Sequence, residues 1–284
     1  MCAAPVTTTD AVTPRPGIPP GSPLPANNQE TVPMLLHPTL ERLQQRRLPG
    51  MANALQEQLQ QPDIAALSFE ERLGLLLDRE STERENRRLK TRLKQAKLRQ
   101  SAAIEDIDYR APRGLDKVLM TRLATGHWIG EHLNVLITGP TGVGKSYLAC
   151  ALANQTCRLG YTARYRRLPR LLEELGIARA DGRYSKLLAE LAKTDLLILD
   201  DWGLTPMNNE QRRDLLEILD DRCRIRSTLV TSQLPLEHWH DYLADPTLAD
   251  AILDRLVHAA YTITLRGESM RKRTSTLTDE GVTQ

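Results

Sequence analysis

The sequence predicts an α/β fold: a parallel five-stranded sheet covered by helices on both faces, preceded by a small all-helical domain. Three observations predict it. From about residue 108 onward, short apolar runs alternate with amphipathic helical stretches, and strands alternating with helices imply a parallel sheet buried on both sides. Residues 34–107 contain no comparable strand run and read as helix throughout. One apolar run leads into a glycine-rich loop and then at once into a helical pattern, the strand–loop–helix order of α/β proteins.

The elements follow in order. Residues 1–33 hold eight prolines with many Thr, Ala and Gly; too little apolar surface is available to offset ordering, so this reads as a disordered tail. A short helix is expected over 39–47, and a second starts with Pro49 in its first turn and stops before Pro62. A third opens at Ser68, where Ser68-Phe69-Glu70-Glu71 fits a capping box. No proline follows until beyond Ser101, which predicts a helix of about thirty residues, long for a globular domain. The strands are expected at 133–138, 161–166, 196–200, 228–231 and 261–265. The division expected is a tail at 1–33, a helical domain at 34–107, an α/β domain at 108–273 and a flexible tail at 274–284.

Composition narrows the function classes. Of 284 residues, 26% are charged and Lys+Arg exceed Asp+Glu by only two, which argues against a uniformly basic nucleic-acid binder. Aromatics are 4%, with Phe69 the single Phe, so stacking of exposed bases is not expected. Cys2, Cys150, Cys157 and Cys223 show no paired spacing, which excludes a common zinc site and suits a reducing cytoplasm. No run is long enough to span a bilayer, and no secretion signal is indicated.

The near-neutral total hides one basic segment. Between 84 and 99 lie eight cations, Arg84, Arg87, Arg88, Lys90, Arg92, Lys94, Lys97 and Arg99, against one acid, Glu85. The segment is net +7, so the rest of the chain sums to −5. On a helix, Leu89, Leu93 and Ala96 form one narrow apolar stripe and the cations fill most of the remaining circumference. Like charges at i,i+4 destabilise such a helix, and a phosphate backbone would relieve them through counterion release. A solvated helix face is the bland alternative.

The loop 139–146 reads Gly139-Pro140-Thr141-Gly142-Val143-Gly144-Lys145-Ser146, followed by Tyr147 on a helix. This is the Walker A pattern in its required context. Its amides and the helix N-terminus would cradle phosphates, Lys145 would neutralise the β/γ-phosphates, and the Ser146 hydroxyl would ligate Mg²⁺. The run 196–199 ends in Asp200-Asp201, a Walker B pattern. Asp200 would hold Mg²⁺, and Asp201 is placed to polarise an attacking water; the alternative for Asp201 is a loop carboxylate. A further buried strand ends in Thr231-Ser232-Gln233; either hydroxyl could orient the water. Arg255 and Arg271 are later cations of the kind that stabilise phosphoryl-transfer charge, though surface ion pairs are the commoner use.

Walker A, Asp200-Asp201-Trp202-Gly203, Thr231-Ser232-Gln233, Leu253-Asp254-Arg255-Leu256 and Gly267-Glu268-Ser269-Met270-Arg271, in that order, resemble the IstB-like transposition helper ATPases. These are AAA+ proteins related to the DnaC/DnaI helicase loaders and the DnaA initiator. The resemblance covers about residues 35–273. It implies an AAA+ P-loop core with strand order 5-1-4-3-2, Ser232 at the sensor-1 position with Thr231 beside it, and Arg255 as an arginine finger acting on ATP in the neighbouring subunit. It places Arg271 at sensor 2 and reads the helices 168–178 and 184–193 as an insertion that promotes helical assembly. Two departures stand out. Asp201 is one methylene shorter than the usual Glu, which implies slow or assembly-dependent hydrolysis. Only 13 residues follow Arg271, leaving no room for a full helical lid.

The resemblance further implies a cytoplasmic bacterial protein that assembles with ATP and Mg²⁺ on duplex DNA as a homo-oligomer, deforms the DNA without sequence specificity, and recruits a transposase of the retroviral-integrase type. Arg164, Arg166, Arg167 and Arg170 around the second strand add to the basic face, and phosphate contacts of this kind give affinity without sequence readout. A replicative helicase loader is the second reading, a non-hydrolysing nucleotide-gated clamp the third, and a small-molecule kinase a distant fourth.

Overall fold

The computed structural model describes residues 36–270. The proline-rich segment 1–33, Arg271 and the tail 274–284 lie outside the described residues. The chain divides into two compact units between Leu76 and Leu77.

The described part of the first unit holds α1 (Leu36–Gln45), α2 (Pro49–Gln60), a short 3₁₀ turn and the start of α3 (Phe69–Ala96). Pro49 sits in the first turn of α2, where its missing N–H costs nothing. The capping box that opens α3 is formed: the Glu71 amide donates to Ser68 Oγ at 3.2 Å and the Ser68 amide to Glu71 Oε2 at 2.8 Å. Gln58, on α2, donates its side-chain amide to the Arg72 carbonyl at 3.1 Å.

The second unit begins within α3. This helix is 28 residues long, close to the thirty expected, and it ends at Ala96, where Lys97 adopts a left-handed φ of 50°. Lys97 and Arg99 therefore leave the helix, and the chain beyond turns back over the α/β core. The apolar stripe is where periodicity places it: Ala96 is fully buried, and Leu89 and Leu93 pack against the same cluster.

The core runs α4 (Lys117–Ala124), α5 (His127–Gly130), β1 (Asn134–Thr138), α6 (Lys145–Arg158), β2 (Ala163–Arg167), α7 (Leu168–Ala180), α8 (Tyr184–Lys193), β3 (Leu196–Trp202), α9 (Asn209–Asp220), β4 (Ser227–Ser232), α10 (Trp239–Leu243), α11 (Pro246–Val257) and β5 (Ala260–Thr264). All strand pairs are parallel, in the order β2-β3-β4-β1-β5, which is the expected 5-1-4-3-2 order read from the other edge. Alternating residues serve two cores, as the twofold repeat of a strand requires. Val135, Ile137, Leu196 and Ile198 face a cluster with α6, while Leu136, Leu197, Leu199 and Val230 face one with α7 to α11. The parallel arrangement brings every strand's C-terminal end to one edge of the sheet, and the site forms there.

Candidate nucleotide-binding site

Gly139 leaves the end of β1 at φ 146°, and a Cβ there would lie 2.5 Å from the Leu265 carbonyl oxygen. Only glycine passes that close to β5. Gly144, at φ 100°, caps α6 without a side-chain hydrogen bond, which leaves the first amides of α6 free for an anion. Arg113, almost fully buried, braces the loop by donating to the Val143 carbonyl at 2.9 Å and to the Asp108 carbonyl at 3.0 Å. The Met270 amide donates to the Gly142 carbonyl at 2.9 Å, and Thr141 Oγ1 donates to Gln233 at 2.6 Å.

Lys145 folds back on its own loop, donating to the carbonyls of Gly139 at 2.7 Å and Pro140 at 2.9 Å. Burial lowers its pKa from the ordinary lysine value, against the opposing pull of Asp200 and Asp201. A phosphate in the loop would give the ammonium a charged partner in place of two carbonyls.

The two acids of β3 occupy different environments. Asp200 is 1% exposed and accepts from four side chains. Ser146 Oγ lies 3.0 and 2.9 Å from its two oxygens. The Thr231 hydroxyl donates to Oδ1, the Tyr165 hydroxyl to Oδ2, and Arg99 Nη1 lies 3.4 Å from Oδ2. Burial, then the contact with Asp200, pushes the Tyr165 hydroxyl well above its ordinary pKa. Asp201 sits within the register shift between β3 and β4, at φ 64°, and receives Arg167 Nε at 2.6 Å. Irregularities of this kind re-aim a side chain out of the ladder.

Of the two hydroxyls ending β4, Thr231 is bound to Asp200. Ser232 donates to the Trp202 carbonyl at 2.9 Å and accepts from the Leu234 amide at 2.9 Å. In this state Thr231 touches the acidic centre, while Ser232 fixes the backbone beside Asp201.

Two cavities meet at the Walker A loop. One, of 410 Å³, is lined by Gly144, Lys145, Ser146 and Tyr147 together with Asp106, Asp108 and Arg113. The other, of 250 Å³, is lined by Lys145, Ser146, Asp200, Asp201, Thr231 and Ser232. The pair suits an elongated anion whose phosphates cross the loop. The hydroxyl of Ser146 and carboxylate of Asp200 are adjacent hard oxygen donors, which fits Mg²⁺, an ion that completes its shell with water and substrate phosphates.

Arg255 is elsewhere. Asn134, the first residue of β1, donates to the Arg255 and Leu256 carbonyls at 2.9 and 3.2 Å. Its guanidinium pairs with Asp220 at 2.7 Å. The Walker A loop leaves the other end of β1, about 13–16 Å of strand away. Arg255 is thus not placed on its own chain's loop.

The basic set divides. Arg84 and Arg87 pair with Glu80 at 2.7 and 3.4 Å. Arg92 donates to the Cys157 carbonyl at 2.6 Å, which ties α3 to α6. Arg164 and Arg166 pair with Glu190 and Glu174 at 3.0 and 3.1 Å. Arg88, Lys90, Lys94, Lys97 and Arg170 are exposed and form no ion pair among the described residues. Arg99 and Arg167 reach the acidic centre instead. Sequence reasoning missed Arg113, Tyr165 and Gln233 as site residues. For Tyr165 and Arg167 a signal existed, since they occupy inward and terminal positions of the strand beside β3, in register with Ile198 and Asp200.

A parallel sheet in this order, with Walker A after β1 and paired acids ending β3, defines a P-loop nucleotide-binding protein of the AAA+ type. The chain belongs to the IstB-like ATP-binding protein family, whose model matches residues 41–278. It is 53% identical over 239 residues to an insertion-sequence ATP-binding protein of Sinorhizobium fredii, covering 84% of this chain and 98% of that one. It is also 55% identical over 203 residues to the ATP-binding protein of insertion sequence IS1162 of Pseudomonas fluorescens, covering 71% and 88%. Among solved structures, DnaI aligns with a TM-score of 0.51 at 24% identity, covering 59% of this chain and 92% of that one, a likeness of fold. Among the described residues, no helix is long and apolar enough to cross a membrane.

Proposed function

We propose that the protein is an ATP-hydrolysing helper of DNA transposition, which assembles on duplex DNA with ATP and Mg²⁺, deforms it and recruits the transposase of its insertion sequence. The observation that carries this reading is the attachment of the basic helix to the ATP site. Leu89, Leu93 and Ala96 pack on the core, and the chain leaving α3 carries Arg99 to Asp200. A cationic surface and a nucleotide site joined by one short segment suit a protein whose hold on a polyanion depends on nucleotide.

In this reading the Walker A amides and Lys145 hold the β- and γ-phosphates. Ser146 and Asp200 would hold Mg²⁺, which would supply charge neutralisation and orientation. Asp201 accepts a proton from water as the water oxygen bonds to the γ-phosphorus and the bond to the β,γ-bridging oxygen breaks. Thr231 and Ser232 keep Asp200 and the Asp201 backbone in place. Arg255 acts on the nucleotide of an adjacent subunit, and Arg271 contributes as sensor 2. Within the basic set, the exposed cations Arg88, Lys90, Lys94, Lys97 and Arg170 supply the first contacts to backbone phosphates, and the ion-paired Arg84, Arg87, Arg164 and Arg166 contribute where a phosphate displaces their carboxylates.

The test is electron microscopy of the protein with a mixed-sequence duplex, with and without ATP, and with no helicase present. Ordered assemblies that need both ATP and duplex support the reading. Assembly on a helicase but not on duplex supports the loader reading instead.

A further inference from the structure

A second arginine-lined cavity adjoins the nucleotide site. It measures 400 Å³, and Arg99, Arg166, Arg167 and Arg170 converge on it against one acid, Glu174. Arg166 spends one terminal nitrogen on Glu174, yet its Nε is buried with no hydrogen-bond partner. Arg170 is exposed and unpaired among the described residues. Arg99 and Arg167 line this cavity and also the cavity that holds the Walker acids. They form the partition between the two, and at 42% and 34% side-chain exposure both can be reached by a solute anion. Both point to the acidic side, Arg99 to Asp200 and Arg167 to Asp201 at 2.6 Å.

We propose that these four arginines form a receptor for a phosphate of the DNA backbone, and that this phosphate competes with Asp200 and Asp201 for Arg99 and Arg167. The proposal rests on the reading that the protein binds duplex DNA. The ligand class follows from the donors, because guanidinium forks match phosphate oxygens bidentately. An unsatisfied buried Nε and an unpaired Arg170 leave donors that the protein's own acids do not use.

The exchange has a consequence in each direction. With Arg167 on Asp201, the carboxylate oxygen that would take the water's proton is engaged; a backbone phosphate that draws Arg167 away frees it. Conversely, whatever engages Asp200 and Asp201 from the nucleotide side leaves Arg99 and Arg167 available to DNA. For binding, linkage makes the effect of nucleotide on DNA affinity equal in free energy to that of DNA on nucleotide affinity.

The test needs no hydrolysis. Affinity for a labelled mixed-sequence duplex is measured by fluorescence anisotropy without nucleotide or Mg²⁺ at one fixed salt concentration. The variants are Asp201→Asn, Arg167→Ala, Arg170→Ala and the double variant Arg167→Ala with Asp201→Asn. Asn is isosteric and tolerates a left-handed backbone such as the φ of 64° at this position. Asp201→Asn is expected to bind duplex about five- to tenfold tighter than wild type, because a charge-assisted hydrogen bond no longer holds Arg167 back. Arg167→Ala and Arg170→Ala are expected to bind severalfold more weakly, and the double variant to show no gain over Arg167→Ala. Equal or weaker binding by Asp201→Asn overturns the proposal. So does a gain that persists in the double variant, since that gain would come from general charge removal. A wild-type protein that binds no duplex even when ATP and Mg²⁺ are added overturns the proposed function instead.

Discussion

Replacing Gly144 with alanine tests how the Walker A loop is held. Gly144 sits at φ 100°, and an added Cβ would lie 2.5 Å from Arg113 Nη1. The backbone strain of a non-glycine residue there is ~1–3 kcal/mol. Arg113 cannot yield freely, because the same Nη1 donates to Val143 and Nη2 to Asp108. Moving it costs a further ~1.5–3 kcal/mol, the worth of one hydrogen bond to a charged group. The substitution should therefore destabilise the protein by ~2.5–6 kcal/mol, a large part of the ~5–15 kcal/mol available to a native domain. It should also weaken ATP binding, since the loop amides shift with Arg113. The assay is urea unfolding of four proteins: wild type, Gly144→Ala, Arg113→Ala and the double variant. In the Arg113→Ala background only the strain remains, so the Gly144→Ala penalty should fall to ~1–3 kcal/mol. An identical penalty in both backgrounds would refute the bracing role of Arg113.

Three further outcomes are expected. Replacing Arg88, Lys90, Lys94 and Lys97 together with Gln should weaken duplex binding uniformly across sequences and lower the slope of log affinity against log salt by about 3 to 4; an unchanged slope would return this face to simple solvation. Arg255→Ala protein should hydrolyse ATP poorly alone and recover part of its turnover when mixed with Lys145→Ala protein, because hybrid interfaces pair an intact loop with an intact Arg255; assembly of each mixture is checked by light scattering. Arg222 is buried and donates to the carbonyls of Leu191, Thr194 and Ser227. Arg222→Met should lower stability by ~3–5 kcal/mol in urea unfolding, as stranded buried acceptors keep their desolvation cost.

What the sequence reveals and what it hides have a common physical cause. Walker A is legible because a phosphate loop needs glycine at positive φ and a helix start immediately after, a local requirement written in consecutive residues. The strand order follows from the family resemblance, and β1 and β3 are legible as continuous apolar runs because both faces of a parallel sheet are buried. The α3 stripe of Leu89, Leu93 and Ala96 is legible as helical period. The end of α3 is not, since nothing in Lys97 announces a left-handed backbone, and that turn is what redirects Arg99 toward Asp200. Arg167 and Arg113 are equally hidden. Each acts through a contact 30 or more residues away in sequence, and an arginine looks the same in a chain whether it meets solvent, a carbonyl or a carboxylate. The net charge of +2 behaves likewise. It averages a strongly basic segment with a mildly acidic remainder, and the structure then divides that segment into exposed cations and arginines turned inward.

Nucleotide in the Walker site is expected to govern the hold on DNA. The direct measurement is duplex affinity at fixed salt for wild type and Lys145→Ala, each with no nucleotide and with a saturating non-hydrolysable ATP analogue and Mg²⁺. The analogue should tighten wild-type binding at least about tenfold, ~1.4 kcal/mol or more, and leave Lys145→Ala unchanged. Equal wild-type affinity in both states would contradict it.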